Sequence, residues 1–124
     1  MGYTIFQAGE LAFEQRGEDD PRQVARLSDG MTHSRANVWR YPPGTRGKRH
    51  ADKAQEEVFV VLDGTLTADL GEPPERHVID RGGVLVVQPG TILQLRNAGD
   101  DELVLFIYGA PPEQAGADFF PSLP

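Results

Sequence analysis

Short apolar runs separated by Gly and Pro are the feature that most limits how this chain can fold. The sequence contains 14 Gly and 10 Pro among 124 residues, and they fall between short runs rich in Val, Leu and Ile. Such runs suit strands, whereas a helix needs an apolar period of 3.6 residues over several turns, and no segment sustains one. The segment nearest to a helix, residues 20–27, is short and polar. We therefore predict an all-β protein of short strands and tight turns.

The predicted strands follow from continuous or alternating apolar runs at 36–41, 58–62, 65–70, 84–87, 91–96 and 103–108. Asp63-Gly64 separates the second and third of these, and this dipeptide is typical of a two-residue hairpin turn in which both residues have positive φ. We therefore predict that strands 58–62 and 65–70 form a hairpin. Strands at this spacing indicate a sandwich or barrel.

The two ends of the chain are less regular. Within residues 1–30, two short strands are predicted at 3–6 and 11–13, followed by a charged loop at 16–22. The tail 110–124 is rich in Pro, which excludes it from the middle of a sheet because Pro cannot donate a ladder hydrogen bond.

Length and composition exclude several classes of protein. A chain of 124 residues predicts one domain, residues 1–124. The absence of Cys excludes disulfides, thiolate nucleophiles and Cys-based zinc sites. A net charge of −7 argues against a nucleic-acid partner. No apolar run approaches the ~20 residues that span a bilayer, and no secretion signal is found, so we expect a cytoplasmic protein without a membrane partner.

Two segments resemble the motifs of the cupin superfamily. Residues 44–64 are similar to its first motif, which reads Gly, five residues, His-x-His, three or four residues, Glu, six residues, Gly. Residues 83–97 resemble its second motif, which runs from a Gly through Pro-x-Gly and a His to an Asn, although Pro89 and Gly90 are adjacent here. The resemblance implies a small single-domain cupin with a two-sheet jelly-roll barrel.

The family commonly binds a divalent metal through the two His and the Glu of the first motif and the His of the second. The matching positions are His50, Asp52, Glu57 and Leu93, so an Asp replaces one His and a Leu occupies the fourth ligand position. The resemblance implies His50, Asp52 and Glu57 as candidate catalytic and metal-binding residues. His50 and Asp52 lie two apart on one strand and so share a face.

One His with two carboxylates suits hard ions best. The candidate ions are Mn²⁺, Mg²⁺ and Ca²⁺, then Ni²⁺ and Zn²⁺, and a metal-free pocket is the alternative. His50 is interpreted as a ligand or general acid/base, or else as a histidine at the barrel mouth bonded to Asp52. The spacing to Gly64 favours Glu57 over Glu56 as the inward acid.

Other polar and aromatic residues carry weaker signals. A basic run either attracts an anionic substrate or, more often, forms a solvated loop: Arg46, Lys48 and Arg49. His33 and His77 are predicted at the surface. Trp39 and Tyr41 share one face of their strand. We predict that they form a core or dimer contact, with substrate stacking as the lesser option. Phe119 and Phe120 should cover a surface, and Asn97 and Gly90 are interpreted as turn residues.

The resemblance implies a small-molecule-binding cupin. Its chemistry would be acid/base or metal-assisted and isomerase-, epimerase- or lyase-like, on a small polar metabolite. The alternative is a non-catalytic sensing or structural cupin that has lost its metal chemistry. Because members of the family pack or exchange edge strands, which also protects exposed sheet edges, we expect a homodimer.

Overall fold

Two antiparallel sheets face each other in the computed structural model, which describes residues 2–112 and 115–124. The large sheet has the order β1-β2-β3-β10-β5-β8, and the small sheet has the order β11-β4-β9-β6-β7. The strands are β1 Phe13–Gly17, β2 Asp20–Arg26, β3 Arg35–Tyr41, β4 Arg49–Asp52, β5 Glu56–Asp63, β6 Thr65–Leu70, β7 Glu75–Asp80, β8 Val84–Val87, β9 Leu93–Arg96, β10 Leu103–Ala110 and β11 Ala117–Phe120. Two 3₁₀ turns, Ala8–Glu10 and Ser28–Gly30, complete the regular structure. Residues 1, 113 and 114, which belong to the predicted N-terminal region and tail, lie outside the described residues.

The core lies between the sheets because alternate residues of each strand point inward. In β10, Leu103, Leu105 and Ile107 are buried while the residues between them are half-buried. They belong to one cluster with Leu66 of β6 and Leu95 of β9 on the opposite sheet. Each such side chain contributes about 1.5–3 kcal/mol when it is fully buried. The predicted all-β class and jelly-roll architecture are confirmed.

The predicted hairpin at Asp63-Gly64 is wrong, because β5 belongs to the large sheet and β6 to the small sheet. Gly64 has φ +77°, whereas no other residue type among those described has positive φ, so Asp63 does not adopt the left-handed conformation. A Cβ at Gly64 would lie 2.5 Å from the carbonyl oxygen of Glu102. The dipeptide therefore connects a strand of the large sheet to a strand of the small sheet. Gly is required at position 64 because the backbone there lies too close to the start of β10 for a side chain.

The N-terminal third differs most from the prediction. Residues 3–6 form no strand, and the strand predicted at 11–13 instead begins at Phe13 and continues to Gly17. The helix-like segment 20–27 is strand β2, which pairs with β1 and β3, so much of the predicted charged loop is a hairpin. The reason lies in the inward face of β2, which presents Arg22 and Arg26 on either side of Val24. An apolar alternation cannot reveal a strand whose inward residues are arginines.

The tail occupies an edge of the small sheet, where β11 pairs with β4. Beyond β11, Leu123 N donates to Gln94 Oε1 at 2.9 Å, and Arg46 Nη1 donates to Leu123 O at 2.7 Å. Gln94 Nε2 also donates to Ser122 Oγ at 3.1 Å. Gln94 therefore holds the tail and is not among the cavity-lining residues, whereas its neighbour Leu93 is. Among the described residues, no helix has the length and apolar character needed to cross a bilayer.

Candidate functional site

A cavity of about 570 Å³ lies between the two sheets. Its walls come from β1, β2, β3, β5 and β10 of the large sheet and from β4, β9 and β11 of the small sheet. The candidate residues His50, Asp52 and Glu57 all line it. The predicted convergence of an imidazole and two carboxyl groups inside the barrel is therefore present in the structure.

Strand alternation places these three side chains together. On β4, His50 and Asp52 point into the cavity, while Arg49, the first residue of the strand, pairs with Glu72 at 2.9 Å. Glu57 is 3% exposed near the start of β5. One donor atom from each of the three candidate residues lies within 4.8 Å of the others. Glu56 is exposed, so Glu57 is the inward acid, as the spacing to Gly64 predicted.

The ring of His50 is oriented by the backbone. Its Nδ1 lies 2.9 Å from the carbonyl oxygen of Lys48. A carbonyl oxygen can only accept, so Nδ1 carries a proton and Nε2 faces Asp52 Oδ2 at 3.6 Å. Burial lowers the pKa of His50, but the hydrogen bonds to Asp52 and to the Lys48 carbonyl outweigh it, and the pKa is raised overall.

The two carboxyl groups have opposite protonation tendencies. Burial, followed by the contact with Asp52, raises the pKa of Glu57 to about 8, although Arg35 Nη2 donates to Glu57 Oε2 at 2.8 Å. Burial also acts to raise the pKa of Asp52, but hydrogen bonds with His50 and Glu57 lower it to about 2. Because adjacent carboxylates repel, the pair holds one proton near neutral pH.

The donor set fits a divalent cation. Glu57 Oε1 is buried and accepts no hydrogen bond from an N–H group of the described residues. In the neutral tautomer set by Lys48, His50 Nε2 offers a lone pair, and a backbone partner for the second ring nitrogen is usual for metal-bound histidine. Leu93 is the Cα partner of His50, is 1% exposed and lines the cavity. The arrangement can therefore hold an ion through three protein ligands beside an apolar wall.

Arg35 is held in place by hydrogen bonds through Gln55, which the sequence did not lead us to predict. Its Nε donates to Gln55 Oε1 at 2.9 Å, and Gln55 Nε2 donates to Pro111 O at 3.0 Å. A Cβ at Gly109 would lie 2.5 Å from Gln55 Cδ, so Gly109 provides the space for Gln55. The available signal was a Gly inside the apolar run of β10, which marks a close approach in a strand.

An aromatic wall continues the cavity along β3. Trp39 and Tyr41 both line it, with ring centroids 6.1 Å apart. Arg22 lies 4.8 Å from the Trp39 ring centroid and donates from Nη1 to the Tyr41 hydroxyl at 3.1 Å. The expected core contact holds for Tyr41, which is 3% exposed within the core cluster. The cavity-lining position of both rings agrees with the lesser option, substrate stacking, whereas the role of Arg22 was missed.

The remaining candidates separate into lining and non-lining residues. Lys48 lines the cavity, whereas Arg49 is buried and Arg46 contacts the tail, so the interpretation of this run as one solvated loop is wrong for Arg49. Phe119 lines the cavity 6.0 Å from the His50 ring centroid. The exposed residues His33 and His77 are outside the cavity lining, and Phe120 lies over Arg49.

Comparisons with known proteins agree with this architecture. The model of the Cupin domain family matches residues 37–108. No curated protein sequence matches the chain. Among solved structures, an uncharacterized conserved protein with a double-stranded beta-helix domain from Klebsiella pneumoniae is 19% identical with a TM-score of 0.78, covering 97% of this chain and 99% of that one.

Two further solved structures are similar. KdgF from Halomonas sp. is 15% identical with a TM-score of 0.76, covering 88% of this chain and 94% of that one. A putative sugar phosphate isomerase from Acidithiobacillus ferrooxidans is 20% identical with a TM-score of 0.72, covering 86% of this chain and 74% of that one. At these identities the likeness shows the fold alone.

Proposed function

Since this chain belongs to the Cupin domain family, we propose that it binds a small polar metabolite in the cavity and acts on it by metal-assisted acid/base chemistry. The observation that carries the proposal is the convergence of His50, Asp52 and Glu57, whose donor atoms lie within 4.8 Å of one another. The cavity of about 570 Å³ is large enough for a small metabolite beside these residues.

A divalent cation bound by the three residues would act as a Lewis acid on a substrate oxygen. Without a bound cation, Asp52 and Glu57 share one proton near neutral pH and so can donate or accept it beside the bound molecule. Binding of the cation would displace this proton and leave the two groups as carboxylates. Both states suit isomerase-, epimerase- or lyase-like proton transfers. The similarity to a putative sugar phosphate isomerase supports the same class of chemistry.

The first test is metal content and its dependence on Glu57. Protein purified without chelator is analysed for Mn, Ni, Zn, Mg and Ca, and binding of Mn²⁺ is then measured by calorimetry. We expect about one ion per chain, and Glu57→Gln should weaken Mn²⁺ binding about tenfold or more because it removes a charged ligand. Glu56→Gln is the matched control: the same change at the exposed neighbouring position should leave binding unchanged.

The metal version is wrong if the protein contains far less than one ion per chain and takes up neither Mn²⁺ nor Ni²⁺. A specific observation favours a second candidate in that case, because Leu93 makes the fourth ligand position apolar. The protein would then be a non-catalytic binder. A thermal-shift screen with small metabolites should give a stabilised protein, and His50→Ala should keep the fold but lose the shift.

We also propose that two copies of the chain form a homodimer through the outer face of the large sheet. On this face, Val84 and Val86 of the edge strand β8 are 56% and 53% exposed. They pair in register with Val60 and Val58 of β5, which pair in turn with β10. A continuous exposed apolar surface at an edge strand marks a protein contact.

A further inference from the structure

The cavity differs in charge from the rest of the molecule. The chain has a net charge of −7, yet among the described residues five basic side chains line the cavity against three carboxyl groups. The basic residues are Arg16, Arg22, Arg26, Arg35 and Lys48, and the acidic ones are Asp29, Asp52 and Glu57. An acidic protein that collects arginines in one cavity concentrates positive potential where a ligand would enter.

The arginines differ in how many of their N–H groups are already used. Each of the three guanidinium nitrogens of Arg22 already donates a hydrogen bond, from Nε and Nη2 to Asp20 and from Nη1 to Tyr41. Arg35 donates from Nε and Nη2 to Gln55 and Glu57 and has no described partner for Nη1. Arg26 forms no side-chain hydrogen bond or salt bridge with any described residue. Donors are therefore available on Arg26 and Arg35.

Strand register brings these donors onto one wall. Arg26 of β2 is the Cα partner of Asn37 on β3, and Arg35 lies two residues before Asn37 on the same face. All three residues line the cavity. Asn37 Oδ1 accepts a 3.4 Å hydrogen bond from Ser28 Oγ. The amide nitrogen of Asn37 has no partner among the described residues. We call Arg26, Asn37 and Arg35 the arginine wall; Arg35 connects it to Glu57 at 2.8 Å.

We propose that the arginine wall binds an oxyanion of the ligand, a carboxylate or a phosphate, and that the metabolite is therefore an acid. The proposal rests on the proposed function, because it names the ligand class for the same cavity. Guanidinium groups bind both oxyanions through paired N–H donors, and Asn37 adds a neutral donor between them. Of the three acidic lining residues, Glu57 is already paired with Arg35 and Asp52 faces His50. Among the described lining residues, that leaves the exposed Asp29 to oppose the anion.

The arrangement also gives the ligand an orientation. Arg35 belongs to the arginine wall and also donates to Glu57, so an acid group held there places the adjoining carbon atoms of the ligand toward the His50, Asp52 and Glu57 cluster. Trp39 lies two residues beyond Asn37 on the same face of β3 and borders the remainder of the ligand. The anion would be anchored at one end while the reacting atoms meet the cluster.

The test compares three ligands with the same carbon skeleton: glycerate, glycerol 3-phosphate and glycerol. Binding to the full chain is followed by NMR titration at low salt, with chelator and again with added Mn²⁺. At least one of the two anions should bind about tenfold or more tightly than glycerol, since hydrogen bonds to charged groups contribute about 1.5–3 kcal/mol. Whether glycerate or glycerol 3-phosphate binds more tightly tells a carboxylate from a phosphate ligand.

Arg26→Gln tests the wall without touching the cluster, because Arg26 is exposed and its side chain has no partner among the described residues. It should weaken anion binding about tenfold. Arg81→Gln is the matched control, since Arg81 is exposed, has no described side-chain partner and lies outside the cavity lining; it should leave binding unchanged.

The proposal is overturned if neither anion binds more tightly than glycerol, or if Arg26→Gln binds the preferred anion as well as Arg81→Gln does. The measurements in chelator separate this result from the proposed function. Anion binding that persists without metal uptake supports the wall and rejects the metal site. Metal uptake without anion selectivity rejects the wall alone.

Discussion

The protonation of the candidate site depends on contacts between single residues. Asp52 and Glu57 approach each other in a buried setting, so one proton is retained by the pair, mostly on Glu57. Arg35 favours the ionised form of Glu57 but does not outweigh burial and the Asp52 charge. Metal binding requires this proton to leave, so uptake of a cation should release it.

The metal-free protein should become less stable as pH rises from 4.5 to about 8. In the unfolded chain Glu57 loses its proton near 4.5, whereas in the folded protein it keeps it to about 8. Between these values the unfolded state binds fewer protons, so the free energy of unfolding falls with rising pH. The raised pKa of His50 acts in the same direction above 6.5. Urea denaturation in the presence of chelator measures this slope.

Glu57→Gln should flatten most of this slope, because Gln imitates the protonated acid at every pH. Glu56→Gln, at the exposed neighbouring position, should keep the wild-type slope. A wild-type stability that rises over this pH range, or a slope that Glu57→Gln leaves intact, would contradict the shared proton.

Among the structural elements, the corner between β5 and β6 shows how one residue directs a strand from one sheet to the other. Gly64 adopts φ +77° and lies against the backbone of Glu102 and Leu103 at the start of β10. Gly90 adopts a similar φ of +83°, but a Cβ there would meet nothing within 4 Å. The two glycines share a conformation and differ in packing.

Gly64→Ala should therefore destabilise the protein more than Gly90→Ala. Both substitutions force Ala into the left-handed region, which costs about 1–2 kcal/mol. Gly64→Ala adds a clash with backbone that cannot rotate away, for which ~1–3 kcal/mol more is expected. The free energies of unfolding of the two variants, measured by urea denaturation, give the difference directly. Equal losses would mean that the corner can shift to accept a methyl group.

A comparison of the strands shows which parts of the structure could be predicted from the sequence. β5 and β10 were predicted because their apolar residues suit a core strand, and the motif spacing located His50, Asp52 and Glu57. β2 was missed because its inward face carries Arg22 and Arg26, and β7 because it is mostly exposed. The sheet assignment after Asp63-Gly64 depends on the distant Glu102.

The contacts that hold Glu57 and Arg35 in place could not be predicted from the sequence either. Arg35 reaches Glu57 and Gln55 across 22 and 20 residues of sequence, and Gln55 reaches Pro111 across 56. These contacts exist only because β3, β10 and β5 are neighbours in the large sheet. Local sequence patterns predict strands and motifs. The contacts that orient the site depend instead on the order of the strands in the sheet, which local patterns do not predict.

At the scale of the whole molecule, the outer face of the large sheet is unusually apolar. Apolar residues of β5, β8 and β10 that alternate with core positions face outward, and they are Val58, Val60, Leu62, Val84, Val86, Val104, Phe106 and Tyr108. None of them is fully buried. The same alternation that fills the core thus leaves a second apolar surface, which ends at the open edge of β8.

A second copy of the chain is the occupant we expect for this surface, and light scattering should give twice the 13.6 kDa chain mass at micromolar concentration. Val86→Lys should yield monomers, because it places a charge within the apolar contact. Val78→Lys is the matched control: Val78 is 64% exposed on β7 of the other sheet and should leave the dimer intact. Because each copy has a net charge of −7, added salt should strengthen the association. A wild-type monomer mass, or equal dissociation of both variants, would show that this face is not the contact.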